Sequence, residues 1–446
     1  MKHFFFKGTT NTIEAETKRD EKVDAVKKEF AKVLESRNLS FLIGSGCSIG
    51  KGGIPTMKGL AEQFFGRQEP DDANKMSPVL KKLILTDDCK KILKSHGIDE
   101  NAEPFTSNLE TFLGTLYSLR YYFEQIKNES QLGNIEKVIT HTKAFILYQC
   151  LNVDNKGKDS EIQANYKNFY RKLSLRDSNL PKPNIFTTNY DLYSEQAMDE
   201  LGITYTNGFS GFIERYFNPS IFNYALAEQM DISSLKWSVI DSFIYLFKIH
   251  GSVNWVEVED SNKLFKIKEL QESKFDSLRK QSNLMIYPSP IKQNASLGTP
   301  YSDLFREFQK RIAQNQSVLV TMGYSFSDEH INNLIYQALT IPTFRLVIFS
   351  ELGRYDGTNY ISIKSNIERL KKLNDPRIWI VGSDEEFSEN PKGQKLNAEA
   401  PLHFFNTITN DLLPDWSDNQ IEGKNENIIA LLKAAVPSNI KNQQND

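Results

Sequence analysis

Residues 40–55, Ser40-Phe41-Leu42-Ile43-Gly44-Ser45-Gly46-Cys47-Ser48-Ile49-Gly50-Lys51-Gly52-Gly53-Ile54-Pro55, run from a short apolar stretch into a glycine-rich turn. The first four residues read as a buried strand. Gly44 and Gly46 then permit backbone conformations that side chains rarely adopt, and they let the main chain approach a phosphate closely. Pro55 reads as the opening of a helix that carries Leu60, Phe64 and Phe65. Upstream, Val23, Val26, Phe30, Val33 and Leu34 fall at helical spacing. Helix, strand, glycine turn and helix together open an α/β unit. The spacing departs from G-x-G-x-x-G because Ile49 stands where the third glycine would be, so a purely structural turn stays open as a reading.

Working outward, strand-like runs recur at Asn184-Ile185-Phe186-Thr187, Ile244–Ile249, Leu284–Tyr287, Ser317–Met322, Phe344–Phe349 and Arg377–Val381. Helical patterns begin at Asp191 and cover 301–314 and 328–340. The alternation predicts an α/β fold with a doubly wound, Rossmann-like parallel sheet. Residues 66–180 interrupt it. Leu109, Phe112, Leu113, Leu116 and Phe123 form one helical stripe, and Ile162, Tyr166, Phe169, Tyr170 and Leu173 form another beyond a polar loop from Asn152 to Ser160. These predict a helical insertion. Residues 1–20 read as a loose polar arm, 21–65 and 181–382 as the core, and 383–446 as a C-terminal extension. Its tail from Pro437, rich in Asn and Gln, reads as disordered.

The 446 residues are 39% hydrophobic and 11% aromatic, enough apolar material to exclude a largely disordered chain. With 54 Lys and Arg against 57 Asp and Glu, no basic excess points to nucleic acid. Cys47, Cys89 and Cys150 form neither a disulfide framework nor a CxxC half-site for zinc. No apolar run reaches the ~20 residues that span a bilayer, and the N-terminus lacks a secretory signal pattern. The expectation is a soluble, cytoplasmic chain with no membrane contact and no metal.

Three further polar turns follow predicted strands, where open α/β sheets bind ligands. In Thr187-Thr188-Asn189-Tyr190-Asp191, the Asn189 side chain suits a ribose hydroxyl or an amide-bearing ligand, although Asn189 or Asp191 could equally cap the next helix. In Lys248-Ile249-His250-Gly251-Ser252, a histidine at a strand end can exchange a proton near neutrality, since its ordinary pKa is ~6.5; a structural histidine is the competing reading. In Gly323-Tyr324-Ser325-Phe326-Ser327-Asp328, Ser327 reads as a helix N-cap with Asp328 in the first turn. Capping leaves the preceding Gly-x-Ser unexplained, and that pair suits a second nucleotide-contacting turn. All four turns should open on one edge of a parallel sheet.

This ordered set resembles the sirtuin superfamily, and specifically the sirtuin-like domains of bacterial antiphage defence proteins, over about residues 30 to 350. The resemblance implies an NAD-binding core that breaks the bond between nicotinamide and ribose. It implies His250 and Asn189 as catalytic residues. Gly44, Ser45, Gly46, Ser48, Pro55, Thr188, Asp191, Gly251, Ser252, Gly323, Ser325 and Ser327 would contact the dinucleotide. Asp191 would serve the nicotinamide pocket, and Gly323, Ser325 and Ser327 the adenosine side.

Two departures from protein-deacylating sirtuins bear on activity. No cysteine occurs between Val256 and Asn283, where those enzymes carry a four-cysteine zinc module, and Thr56-Met57-Lys58 replaces their acidic-Phe-Arg signature. The expected reaction is therefore hydrolysis of NAD+ to nicotinamide and ADP-ribose, with NAD+ as substrate and no further cofactor. The architecture resembles the sirtuin-like subunit of sirtuin–HerA systems, which implies a HerA-type hexameric ATPase partner and a homo-oligomer. The rival readings are a zinc-free deacylase or ADP-ribosyltransferase and a non-catalytic nucleotide-sensing scaffold. A DNA-cleaving subunit ranks last, since no paired carboxylates with a metal-binding pattern stand out.

Overall fold

The computed structural model describes residues 2–67, 76–155, 160–177, 179–231, 236–240, 243–258, 266–271, 274–281, 299–355, 360–362, 364–386 and 400–414. Eight strands of its large sheet matter here: β1 (Lys2–Lys7), β2 (Asn38–Ile43), β3 (Asn184–Thr187), β4 (Thr204–Thr206), β5 (Phe243–Lys248), β6 (Ser317–Met322), β7 (Arg345–Phe349) and β8 (Ile378–Glu386). They lie in the order β1-β8-β7-β6-β2-β3-β5-β4. From β8 to β4 every pairing is parallel, as the alternation predicts. The chain builds β3, β4 and β5 on one side of β2, then returns across it to build β6, β7 and β8 on the other. The order therefore reverses between β2 and β6, the place where open α/β sheets bind ligands.

Register brings the four turns together. Ile43 lies beside both Met322 and Thr187, and Thr187 lies beside Lys248. The strands preceding Gly44, Thr188, Ile249 and Gly323 thus end level, and every turn leaves the same edge.

Both sheet faces are buried, which is why the strands read as unbroken apolar runs. Phe41, Ile43, Val320 and Met322 point into one core, shared with the helices Arg19–Leu34, Glu161–Ser174 and Tyr193–Leu201. Leu42, Leu319 and Phe186 point into the other, shared with the helices Tyr301–Ile312, Glu329–Leu339 and Ser365–Lys372. A third cluster joins the helices Met57–Phe64, Asp87–Ser95, Leu109–Gln125 and Glu129–Cys150 into a helical unit. That cluster includes Tyr190, Val253 and Val256, so the unit is seated on the edge from which the turns emerge.

Several expectations are revised. Residues 2–7 are not a loose arm: β1 pairs antiparallel with β8, because Phe4 and Phe5 send their rings to opposite cores. The stripe Ile162, Tyr166, Phe169, Tyr170 and Leu173 belongs to the sheet core rather than to the helical unit, with the Phe169 ring edge-on to Phe41 at 5.3 Å. Past residue 383, Leu402, Phe405, Ile408 and Leu412 fill the same core. Strands Phe209–Ser210 and Arg215–Phe217, before His250, and Trp255–Glu257 and Ile267–Glu269, after it, form an antiparallel sheet that the sequence reading lacks. The strand expected at Leu284–Tyr287 and the tail from Pro437 lie outside the described residues.

Candidate active site

The glycine turns after β2 and β6 interlock. The Gly44 N–H donates to the Met322 carbonyl at 2.9 Å, and the Gly46 N–H donates to the Gly323 carbonyl at 2.9 Å. Gly323 has φ +61°, in the left-handed region, and a Cβ there would stand 2.5 Å from the Cys47 nitrogen. One at Gly46 would stand 2.7 Å from the Gly323 Cα. Only backbone fits between these turns, so glycine is required on both sides. Cys47 is packed into this junction, and burial drives its thiol pKa well up, so it is a packing residue rather than a nucleophile.

Above the junction lies a cavity of about 560 Å³, within the usual range for small-molecule sites. Gly44, Ser45, Ser48, Pro55, Thr188, Asn189, Asp191, His250, Gly323, Ser325 and Ser327 line it. Gly46, Gly251 and Ser252 do not. Gly46 lies in the interlock, and Gly251, at φ +98°, turns the chain after His250. Ser252 is fully buried.

Asn189 is held from below. Its N–H donates to Thr187 Oγ1 at 3.0 Å, and its Nδ2 donates to the Gly44 carbonyl and to Ser48 Oγ, each at 3.1 Å, and to the Tyr166 hydroxyl at 3.4 Å. It caps no helix: the N-cap position of the following helix is Leu192. Its Oδ1 is buried without a partner among the described residues. A buried acceptor left unsatisfied costs about 1–3 kcal/mol, so this atom calls for a hydroxyl or N–H from a ligand.

Ser48 Oγ donates to Asp191 Oδ2 at 2.8 Å. Burial pushes the Asp191 carboxyl up to about 6, against the opposing pull of Lys248 and Ser48. Lys248 is itself buried, donating to Glu195 Oε1 at 3.0 Å and to the carbonyls of Tyr190 and Asp191.

His250 pairs with Asp328: Nε2 lies 2.9 Å from Oδ2. Burial alone would lower the imidazole pKa, but the Asp328 hydrogen bond, the Glu110 charge and the Asp328 charge outweigh it and raise it. Asp328 moves the other way: burial would raise it, and the His250 contact with two backbone N–H groups holds it down. Those N–H groups, of His330 and Ile331, donate to Oδ1 at 2.8 and 3.1 Å. Asp328, not Ser327, is therefore the N-cap, and one carboxylate both starts the helix and orients the histidine. Ser327 instead pairs with Ser325, Oγ to Oγ at 2.9 Å.

The sequence reading missed Asp328 as the histidine's partner, Tyr166 beneath Asn189, and the far wall. That wall is the start of the helix Leu109–Gln125, which brings Ser107, Asn108, Glu110 and Thr111 to the cavity. The acidic cap beside a strand-end histidine was the one available signal. Among the described residues, no cluster of His, Cys, Asp or Glu could hold a metal ion, and no helix is long and apolar enough to cross a membrane.

No curated protein matches the chain. A family model described as a SIR2-like domain matches residues 183–345. The matched span begins just before β3 and contains the turns carrying Asn189, His250 and Gly323–Asp328, and its family includes NAD-using enzymes. This chain carries a sirtuin-like domain.

Proposed function

We propose that this chain is an NAD+ glycohydrolase that releases nicotinamide and ADP-ribose. One observation carries the reading: a buried, unpartnered Asn189 Oδ1 and a His250–Asp328 pair face one cavity at the switch point of the sheet. The glycine junction suits close approach of a pyrophosphate, and the Asn189 oxygen suits a ribose hydroxyl.

In the reaction, the bond between the ribose C1′ and the nicotinamide nitrogen breaks, and its electron pair leaves with nicotinamide. Positive charge develops on the ribosyl ring, and water adds to C1′ while losing a proton. Asn189 would hold a ribose hydroxyl through Oδ1. With Nε2–H donated to Asp328, neutral His250 keeps Nδ1 as its proton acceptor, for water or for a ribose hydroxyl. Asp328 fixes that tautomer and stabilises the cation once the proton is taken. The carboxylates of Asp191, Asp328 and Glu110 favour the developing ribosyl charge.

From the resemblance to sirtuin–HerA systems, we further propose that the chain is a homo-oligomeric, cytoplasmic effector of bacterial antiphage defence, acting with a HerA-type hexameric ATPase and depleting NAD+. The test is release of nicotinamide and ADP-ribose by the purified chain, alone and with a candidate HerA-type ATPase. His250→Ala should abolish release and keep the wild-type fold. Bound but uncleaved NAD+ in every combination would favour the sensing-scaffold reading. Absence of binding would end the nucleotide-site reading.

A further inference from the structure

The wall opposite the interlocked glycines does not come from the sheet. It is the first turn of the helix Leu109–Gln125, which Asn108 caps by accepting the N–H groups of Glu110 and Thr111 at 2.8 and 3.2 Å. With those two N–H groups satisfied, Glu110 is the acidic residue that this turn brings to the cavity. Its Oε1 accepts the Tyr190 hydroxyl at 3.0 Å. Tyr190 follows Asn189 directly, and its ring centroid lies 6.5 Å from that of His250. The Tyr190 carbonyl accepts the Val253 N–H at 3.1 Å, tying the loop after β3 to the turn after His250.

We propose that Glu110 is a positioning residue of this site, supplied by the helical unit: its carboxylate braces Tyr190 beside Asn189 and adds a second negative charge near His250. The sheet edge alone then makes an incomplete site. This deepens, and rests on, the NAD+-cleaving reading. The charged and titratable groups around His250 are Asp328 from the turn before the helix Glu329–Leu339, Glu110 from the helical unit, and Tyr190 from the loop after β3. Asp191 and His330 line the same cavity. Of these, Glu110 is the one borne by a separately packed element, so docking of the helical unit decides whether the histidine feels it.

Two near-isosteric variants separate brace from charge. Glu110→Gln keeps an oxygen for the Tyr190 hydroxyl and removes the charge, whereas Tyr190→Phe removes the brace and keeps the charge. The chain has six histidines, few enough to assign the His250 ring signal by its loss in His250→Ala in an NMR titration without NAD+. Glu110→Gln should move the His250 midpoint to lower pH, and Tyr190→Phe should leave it close to wild type. Tyr190→Phe should lower kcat on the order of tenfold through a displaced Asn189, without moving the acid limb of the profile. An unmoved midpoint in Glu110→Gln overturns the charge role, and an unchanged kcat in Tyr190→Phe overturns the brace. Because the midpoint is read without substrate, a wild-type chain that cleaves no NAD+ refutes the glycohydrolase reading while this titration still decides the placement of Glu110.

Discussion

Replacing Gly323 by alanine tests the junction on which the cavity rests. The new Cβ would stand 2.5 Å from the Cys47 nitrogen, 2.8 Å from the Gly46 carbonyl carbon and 2.9 Å from the Cys47 sulfur. Two of those three atoms are backbone, so no flexible side chain can swing aside. Holding alanine at φ +61° costs ~1–2 kcal/mol, and forcing a methyl into a filled site costs ~1–3 kcal/mol more. The turns can part only by stretching the Gly44–Met322 and Gly46–Gly323 hydrogen bonds, worth about 1 kcal/mol each. Either way the loss should be about 2–5 kcal/mol. Gly133 supplies the control. It lies inside the helix Glu129–Cys150, and an added Cβ would meet nothing within 4 Å beyond its chain neighbours and the helix's own backbone, so Gly133→Ala should gain ~0.5–1 kcal/mol. Urea unfolding of both variants, read as midpoint shifts at constant slope, makes the comparison. A Gly323→Ala loss below about 0.5 kcal/mol would refute the interlock as described.

Three other perturbations have defined outcomes. Asp328→Asn should keep the helix, since asparagine caps as well as aspartate, yet lower the His250 pKa by removing its charged partner. For the proposed NAD+ cleavage, the acid limb should move to lower pH and kcat should fall by roughly 100-fold or more; an unmoved limb would exclude His250 as the base. Asp191 has its folded pKa raised from 3.8 to about 6, so its contribution to stability is present below its unfolded pKa and is lost as pH rises through about 6. Asp191→Asn should therefore stabilise the chain at pH 8 by up to about 3 kcal/mol while impairing cleavage, and thermal melts at pH 4 and 8 check the sign. Lys248→Met leaves the Glu195 carboxylate buried without its cation, at about 3–5 kcal/mol, and Lys248→Met with Glu195→Leu should recover most of that loss in urea unfolding.

The sheet was legible because parallel strands buried on both faces write themselves as short apolar runs, and the polar turns after them stand out by contrast. Asn189 and His250 were legible for that reason, as polar residues where a strand ends. What stayed hidden depends on long-range packing. Tyr166 reads as one more apolar position in a helical stripe, and only the fold brings its hydroxyl to Ser48 and Asn189, more than a hundred residues from the first and 23 from the second. Glu110 reads as an ordinary acid in a first helical turn, as it also is. Lys2–Lys7 reads as polar at its ends, and its three phenylalanines declare a strand only once β8 offers an open edge. Asp328 was visible but assigned to the first turn, because Ser327 beside it is an equally good cap by residue type. The structure makes the choice through the His330 and Ile331 N–H groups, which donate to Asp328 Oδ1 and leave Oδ2 for His250.

The floor of the site shows what the arrangement is organised to hold. Lys248, Glu195 and Asp191 are all buried, although apolar residues of similar size would often serve stability as well or better. Lys248 spends its donors on Glu195 and on the Tyr190 and Asp191 carbonyls, the two residues after Asn189. It also ends the strand that delivers His250 two residues later. A single ammonium group thus fixes the loop bearing Asn189 against the strand bearing His250, from beneath the cavity. Glu110 and Tyr190 tie the same loop to the helical unit from above. Asn189 is accordingly carried on a loop tied both to the sheet and to the helical unit, so a shift of one against the other would act on that loop.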